Sequence, residues 1–355
     1  MVNHRISPDK TYPNNNILLD RSRMSIAAIL VVETISTSGL VGQKLTCLQE
    51  IFGQSMLDRT IRGLRQGGVK AITVVAPDNS FFAHKNSSDS VTRLKLVPPQ
   101  ISLWSAAECV LREYVRRGVE HILLSNTAAY AELDLTGIVR FNREKNQPLT
   151  SVVDSRGTLG IWYLAAKEIE RVKRMGLEAL IAGASASNLV PYFLRSYSNR
   201  LESAYDMRRL IEDAFLSRCA IRPCGREVKP GVWFDDGARI HRRARVVAPV
   251  YLGRGTTIGS DTLIAEFSNI ERDCEVNNAA IIKAASILPE TYIGRGLRVT
   301  SAVVDGNKYL HLGSNTVTQI GDPRIVRRRV PVGPNHSLES RSRENSLAQR
   351  LLATA

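Results

Sequence analysis

From Val228 onward every sixth residue is bulky and apolar: Phe234, Ile240, Val246, Leu252, Ile258, Ile264, Ile270, Val276 and Ile282 follow at one spacing. Four places after each stands a small or β-branched residue, in order Val232, Ala238, Ala244, Val250, Thr256, Thr262, Ser268, Cys274, Ala280 and Ser286. One five-residue step then moves the register to Ile287, and Ile293 and Val299 continue it. Neither the helical period nor the strand period produces a strict six, so residues 228–299 form a hexapeptide repeat. Each hexad predicts one short strand and a turn, and three hexads close a triangular coil of about eighteen residues. The bulky residue points inward and the small one fits where the chain turns. Gly237, Gly255, Asn277 and Gly294 suit the positive backbone angles of a corner. A single coil cannot bury its apolar face, so the coils must stack, and the run supplies roughly four. A β-sandwich does not keep register this strictly.

The chain before the repeat reads differently. Residues 1–24 are polar and rich in Asn and Arg, which predicts a flexible arm. The run Ile26-Ala27-Ala28-Ile29-Leu30-Val31-Val32 suits a strand buried on both faces. A helix is expected over 55–66, ended by Gly67-Gly68, then a second buried strand over 71–76. A helix over 105–117, closed by Gly118, leads to a third strand over 121–124. Alternating strand and helix at these lengths predicts a parallel sheet with crossover helices. Further strands are expected at 152–153 and 160–165, and helices over 167–175 and 206–216. The chain of 355 residues, 43% hydrophobic, has material for two cores. The boundaries fall at an α/β domain over 25–220, the repeat over 221–320 and a basic tail over 321–355, expected to be disordered.

Composition narrows the partners. The net charge of +14 favours anionic ones, yet no basic motif studded with aromatics appears, which disfavours nucleic acid. Arg327, Arg328 and Arg329 form the clearest basic cluster and read as a solvated tail. Five scattered cysteines argue against a disulfide framework, and Cys219 with Cys224 has no second pair to complete a zinc site. A basic apolar leader and an eighteen-residue apolar run are both lacking, so a cytoplasmic setting without a membrane span is expected.

An α/β domain followed by hexapeptide repeats resembles the sugar-phosphate nucleotidyltransferases, the nucleotide-sugar pyrophosphorylases, and among them the mannose-1-phosphate guanylyltransferase-like group. The strings that carry this are Phe52-Gly53-Gln54-Ser55-Met56-Leu57, the segment from Gly67 to Val75, Ile122 to Ser125 with Ala131 to Leu135, and Pro230-Gly231-Val232-Trp233. The resemblance implies a Rossmann-like nucleotidyltransferase domain joined to a left-handed parallel β-helix. It also implies transfer of a nucleotide from an NTP to a sugar 1-phosphate with release of pyrophosphate. That chemistry needs positioning and charge neutralisation, with Mg²⁺ bridging phosphate oxygens.

The positions where the family holds its nucleotide are Val32, Glu33, Gly39, Trp104, Ser105, Ser125 and Asn126. Several of them depart from its pattern. The paired glycines and the arginine of the phosphate loop are replaced by the stretch from Glu33 to Gly39, and Glu33 puts an anion where triphosphate should sit. Asn126 stands in place of the metal-binding aspartate. A single transition-state contact of this kind is worth about 3 kcal/mol, and the losses compound. The expectation is therefore a catalytically impaired relative, a nucleotide-sugar-binding regulatory or scaffolding subunit of polysaccharide-precursor metabolism. It would bind a nucleotide sugar or sugar phosphate and assemble as a homo-oligomer or with an active paralogue.

An alternative is an active nucleotidyltransferase with a rebuilt loop, using Lys44 for phosphate, Asp134 for metal, and Mg²⁺ as its cofactor. Glu132 and Asp154 are further stand-in carboxylates, each also readable as a cap or a solvated residue. A second alternative is a hexapeptide-repeat acyltransferase with a histidine base, for which His241 is a candidate although its spacing places it on the outer wall.

Overall fold

The computed structural model describes residues 25–33, 46–78, 92–186 and 189–329. Strand β1 (Ile26–Val31) is buried along its whole length, which is why it shows an unbroken apolar run and no alternation. After it come α1 (Met56–Gln66), β2 (Ala71–Pro77), β3 (Thr92–Val97), α2 (Leu103–Arg116), β4 (His121–Ser125) and α3 (Leu135–Lys145). Then follow β5 (Leu149–Asp154), β6 (Gly157–Ala165), α4 (Ile169–Met175), α5 (Leu177–Ala186), β7 (Tyr192–Phe193) and α6 (Ala204–Phe215). The helices start at side-chain caps. Ser55 Oγ accepts the Asp58 amide, Ser102 Oγ the Trp104 amide, Asp134 the Gly137 amide and Ser203 Oγ the Asp206 amide. Gly67 ends α1, and Asn146 in the left-handed region (φ 46°) ends α3.

The seven strands order as β7-β5-β6-β4-β1-β2-β3. The neighbours from β4 through β1 and β2 to β3 are parallel, and β6 runs antiparallel to both β4 and β5. One face of the sheet packs α1 and α3 through Leu57, Leu64, Ile138 and Val139. The other packs α2, α4 and α5 through Trp104, Leu111, Val172 and Leu177. Leucine, isoleucine and valine at helical spacing on each helix supply these contacts, so both sheet faces are covered. Strand β3 escapes a reading by apolar runs, because it is a half-exposed edge with Arg93 and Lys95 among its apolar residues.

The C-terminal region is strand-rich. Three parallel ladders run through it, and the chain visits them in rotation. In each, a strand pairs with the one eighteen residues on: Val232 with Val250, Ile240 with Ile258, Val246 with Ile264. The five-residue step appears as an offset of seventeen, with Ile270 opposite Ile287, Val276 opposite Ile293 and Ile282 opposite Val299. Leu252, Ile264, Ile270, Ile282, Ile287, Ile293 and Val299 are fully buried in one cluster. From Val250 on the small residues are buried too, while Ala238 and Ala244 are half-buried, and two hydroxyls serve the turns: Thr256 Oγ1 donates to Glu271 O at 2.8 Å, and Thr262 Oγ1 to Asn277 O at 3.1 Å.

Four expectations need correction. Val228 is not a core residue; it is exposed, in an antiparallel strand Arg226–Lys229 that pairs with the strand Val232–Phe234. Of the four proposed corner residues, Gly237 and Gly255 have positive φ, while Asn277 and Gly294 do not; Asp273, Ala279 and Gly296 do instead. Gly294 is needed for a different reason, since a Cβ there would lie 2.4 Å from Arg324 O. The tail does not begin at 321. Val326–Arg328 pairs antiparallel with Thr291–Ile293, and Val326 is fully buried. The arginines there have partners, although Arg327 and Arg328 remain exposed. Arg327 lies 3.8 Å over the Tyr292 ring, Arg328 bonds Asp305 at 2.5 Å, and Arg329 lies 3.4 Å from Glu275. The arm at 1–24 and residues 330–355 lie outside the described residues.

Candidate functional site

The sheet order defines where a crevice must form. From β1 the chain crosses to β2 and β3 on one side, then returns to β4 on the other. The switch point therefore lies between β1 and β4, and ligands of open α/β sheets bind outside the carboxyl ends of such strands. Val32 and Glu33 leave β1 there, and Ser125 and Asn126 stand at the end of β4.

The structure brings three of the expected residues into direct contact. Glu33 accepts the Trp104 Nε1–H at 2.5 Å and the Asn126 Nδ2–H at 3.5 Å. Trp104 is buried, in the first turn of α2, edge-on to Trp162. Asn126 is fixed from several directions: its backbone N–H donates to Gly160 O at 3.0 Å, and its Oδ1 accepts the Ala128 amide at 3.2 Å. Gly160 (φ +68°) is required beneath it, because a Cβ there would stand 2.0 Å from Asn126 Oδ1. The other expected residues do not join this cluster. Val32 is buried on the α1 face, and Ser105 is exposed on α2. Ser125 Oγ accepts the Thr127 amide at 3.1 Å. Lys44 and Gly39 lie outside the described residues.

Chemically, the cluster is an acidic group with two neutral N–H donors. The carboxylate carries a negative charge at the position where a phosphate needs positive neighbours. It does not fit Mg²⁺ either. It offers a single carboxylate, whereas a hard cation prefers several charged or carbonyl oxygens. Among the described residues no group of three or more His, Cys, Asp or Glu is placed to hold a metal.

The stand-in carboxylates have structural duties. Asp134 caps α3. Glu132 Oε1 accepts the Ala220 amide at 2.5 Å and the Tyr130 hydroxyl at 3.3 Å, which ties the end of β4 to the connector after α6. Asp154 makes paired bonds to Arg200 at 2.6 and 3.2 Å and accepts the Arg156 amide. The Arg200 guanidinium holds its carboxyl below the usual range. His241 is exposed, and its Nδ1 accepts the Arg243 amide at 3.2 Å.

Two features lie beyond the Glu33 cluster. The first is the junction between the two regions. Phe52 and Gly53, both at positive φ, donate their amides to Glu271 at 2.8 and 2.9 Å, and Asn269 Nδ2 donates to the same carboxylate at 2.8 Å. Burial pushes the Glu271 carboxyl up to about 7, against the downward pull of those donors. Arg208 of α6, also buried, donates to Phe267 O and Ser286 Oγ at 3.0 Å, and Arg272 pairs with Glu50 at 3.0 Å. Phe52 packs edge-on against Tyr251 and Phe215, and Phe215 against Phe267. Glu271 follows core residue Ile270, a place that on a bare wall faces solvent, so nothing in the repeat marks it.

The second is a cavity of about 860 Å³ on the α1 face of the sheet, away from Trp104, between α1, the start of α3 and the connector 219–225. No helix among the described residues is long and apolar enough to cross a membrane. Compared with known proteins, the chain matches no family model, and no curated protein matches it.

Proposed function

We propose that the protein is a non-catalytic relative of the sugar-phosphate nucleotidyltransferases, a cytoplasmic nucleotide-sugar-binding subunit with a regulatory or scaffolding role. In this reading the three ladders wind as a left-handed parallel β-helix, which serves as an assembly module for a homo-oligomer or for union with an active paralogue. The observation that carries it is Glu33, held by Trp104 and Asn126 at the switch point. An anion here opposes triphosphate, and one carboxylate alone is a poor ligand set for Mg²⁺, so the electrostatic stabilisation that phosphoryl transfer depends on is missing from these residues. The strands that frame the crevice persist, β1 paired parallel with β4, and open α/β sheets bind ligands at such an edge.

The test pairs two assays on the full chain. Titration calorimetry with GDP-mannose and UDP-glucose should show binding of at least one. Incubation with Mg²⁺, NTP and mannose 1-phosphate or glucose 1-phosphate should release no pyrophosphate. Pyrophosphate release that disappears in Lys44→Ala would replace this reading with that of an active enzyme.

A further inference from the structure

We propose that the cavity on the α1 face is a nucleoside phosphate site, reaching from Ser125 at the end of β4 to the connector between the two regions, where it is placed to sense an effector. This proposal stands independently of the reading of the crevice. Its floor is apolar, from Leu30, Leu64, Leu123 and Ile161, and its rim is charged. Three arginines line it, and they are not equivalent. Arg59 is committed to structure, donating to Ile51 O at 2.7 Å and Arg222 O at 3.2 Å, with its Nε buried and unpartnered. Arg222 uses only Nη1, on Cys219 O at 2.7 Å and Ile221 O at 2.9 Å. Arg62 is exposed, and among the described residues it has no hydrogen-bond or ion-pair partner.

Arg62 and Arg222 thus offer free N–H groups from two sides, α1 and the connector, and guanidinium is the group best shaped to grip a phosphate. Glu132 and Asp134 also line it, each bound to a backbone amide through one oxygen, Glu132 to Ala220 of the connector and Asp134 to Gly137. Their remaining lone pairs suit sugar hydroxyls. The apolar floor, with the Tyr130 ring beside it, suits a base. A volume of about 860 Å³ accommodates a mononucleotide. A ligand bridging Arg62 to Arg222 would clamp α1 to the connector, whose Cys224 amide already donates to Phe52 O at 3.2 Å, beside the Glu271 junction.

Cys224 makes the test direct, because its half-buried thiol lines the cavity while Cys109 is exposed elsewhere on α2, and Cys47, Cys219 and Cys274 are buried. The full-length protein is labelled with a maleimide, and the rates at Cys224 and Cys109 are read by peptide mass spectrometry, as ratios with and without ligand. GMP and AMP are the probes, with guanosine, adenosine, mannose 1-phosphate and inorganic phosphate as comparisons. At about ten times the dissociation constant a nucleoside monophosphate should slow labelling of Cys224 about tenfold and leave Cys109 unchanged. Arg62→Glu should abolish that protection without shifting the thermal midpoint, whereas Trp104→Phe should keep it, which separates this cavity from the Glu33 cluster. Three outcomes overturn the proposal: no protection by GMP or AMP at millimolar concentration, protection that survives in Arg62→Glu, or equal protection by the nucleosides or by inorganic phosphate alone.

Discussion

Replacing Glu271 with alanine tests how the two regions are joined. The substitution removes the acceptor of two buried backbone amides, Phe52 and Gly53, and of the Asn269 amide. Each donor left unpaired costs about 1–3 kcal/mol, so the three together cost on the order of 4 kcal/mol once local relaxation is allowed. An opposing term depends on pH. The folded-state pKa is raised from 4.5 to about 7 by burial, roughly 2.5 units at 1.36 kcal/mol each, or about 3 kcal/mol. A raised carboxylate pKa means that the carboxyl's stabilising contribution is whole below about pH 4.5 and is lost as pH climbs through 7. Alanine escapes this loss.

Glu271→Ala should therefore destabilise strongly near pH 5 and by up to about 3 kcal/mol less at pH 8. Urea unfolding followed by tryptophan emission reads it, since Trp104 and Trp162 report on the sheet and Trp233 on the ladder beside Phe52. A penalty at pH 8 equal to or larger than that at pH 5 would refute the reasoning. It would mean that the three donors hold the carboxylate charged more firmly than burial opposes it.

Asp154→Asn should cost about 2 kcal/mol at pH 7, because Arg200, itself largely buried, loses a paired ionic partner. Since Arg200 depresses the Asp154 carboxyl, its contribution is present above the ordinary aspartate range and fades as pH falls through the folded value. Urea midpoints of wild type and variant should accordingly converge as pH falls below the ordinary aspartate range, and a gap that stays constant there would exclude this cause. Gly294→Ala should release the strand Val326–Arg328 from Thr291–Ile293, because its Cβ meets the Arg324 and Ile325 carbonyls at 2.4 and 2.9 Å. Hydrogen exchange at the Arg329 amide, which donates to Glu290 O across this pair, should speed by at least about tenfold, a local loss near 1.4 kcal/mol, and unchanged protection there would count against the close approach.

Much of the architecture is legible in the chain because it is local. The six-residue spacing fixes which side chains line the C-terminal core, and the five-residue step after Ile282 reappears as the seventeen-residue pairing of Ile270 with Ile287. The buried run at Ile26–Val31, the Ser55 cap and the glycines after α1 place β1 and α1 in the same way. Edge elements resist such reading. Strand β3 mixes charges into an exposed edge, and Val326–Arg328 hides a single buried valine in an arginine-rich stretch. Of the candidate site, Glu33, Trp104 and Asn126 are recognisable as residues near the crevice, yet their mutual hydrogen bonding depends on how α2 packs against β1 and β4.

What the sequence determined by itself is therefore periodicity: the strand–helix alternation, the repeat and its register. The tertiary structure alone decided which wall of the ladders is covered, so that Glu271 is buried while Asp236 and Glu266 are not. It also decided that Arg62 of α1 and Arg222 of the connector line one cavity. Side-chain spacing is set within a few residues of chain, whereas the burial and charge of a wall position depend on a surface more than a hundred residues away.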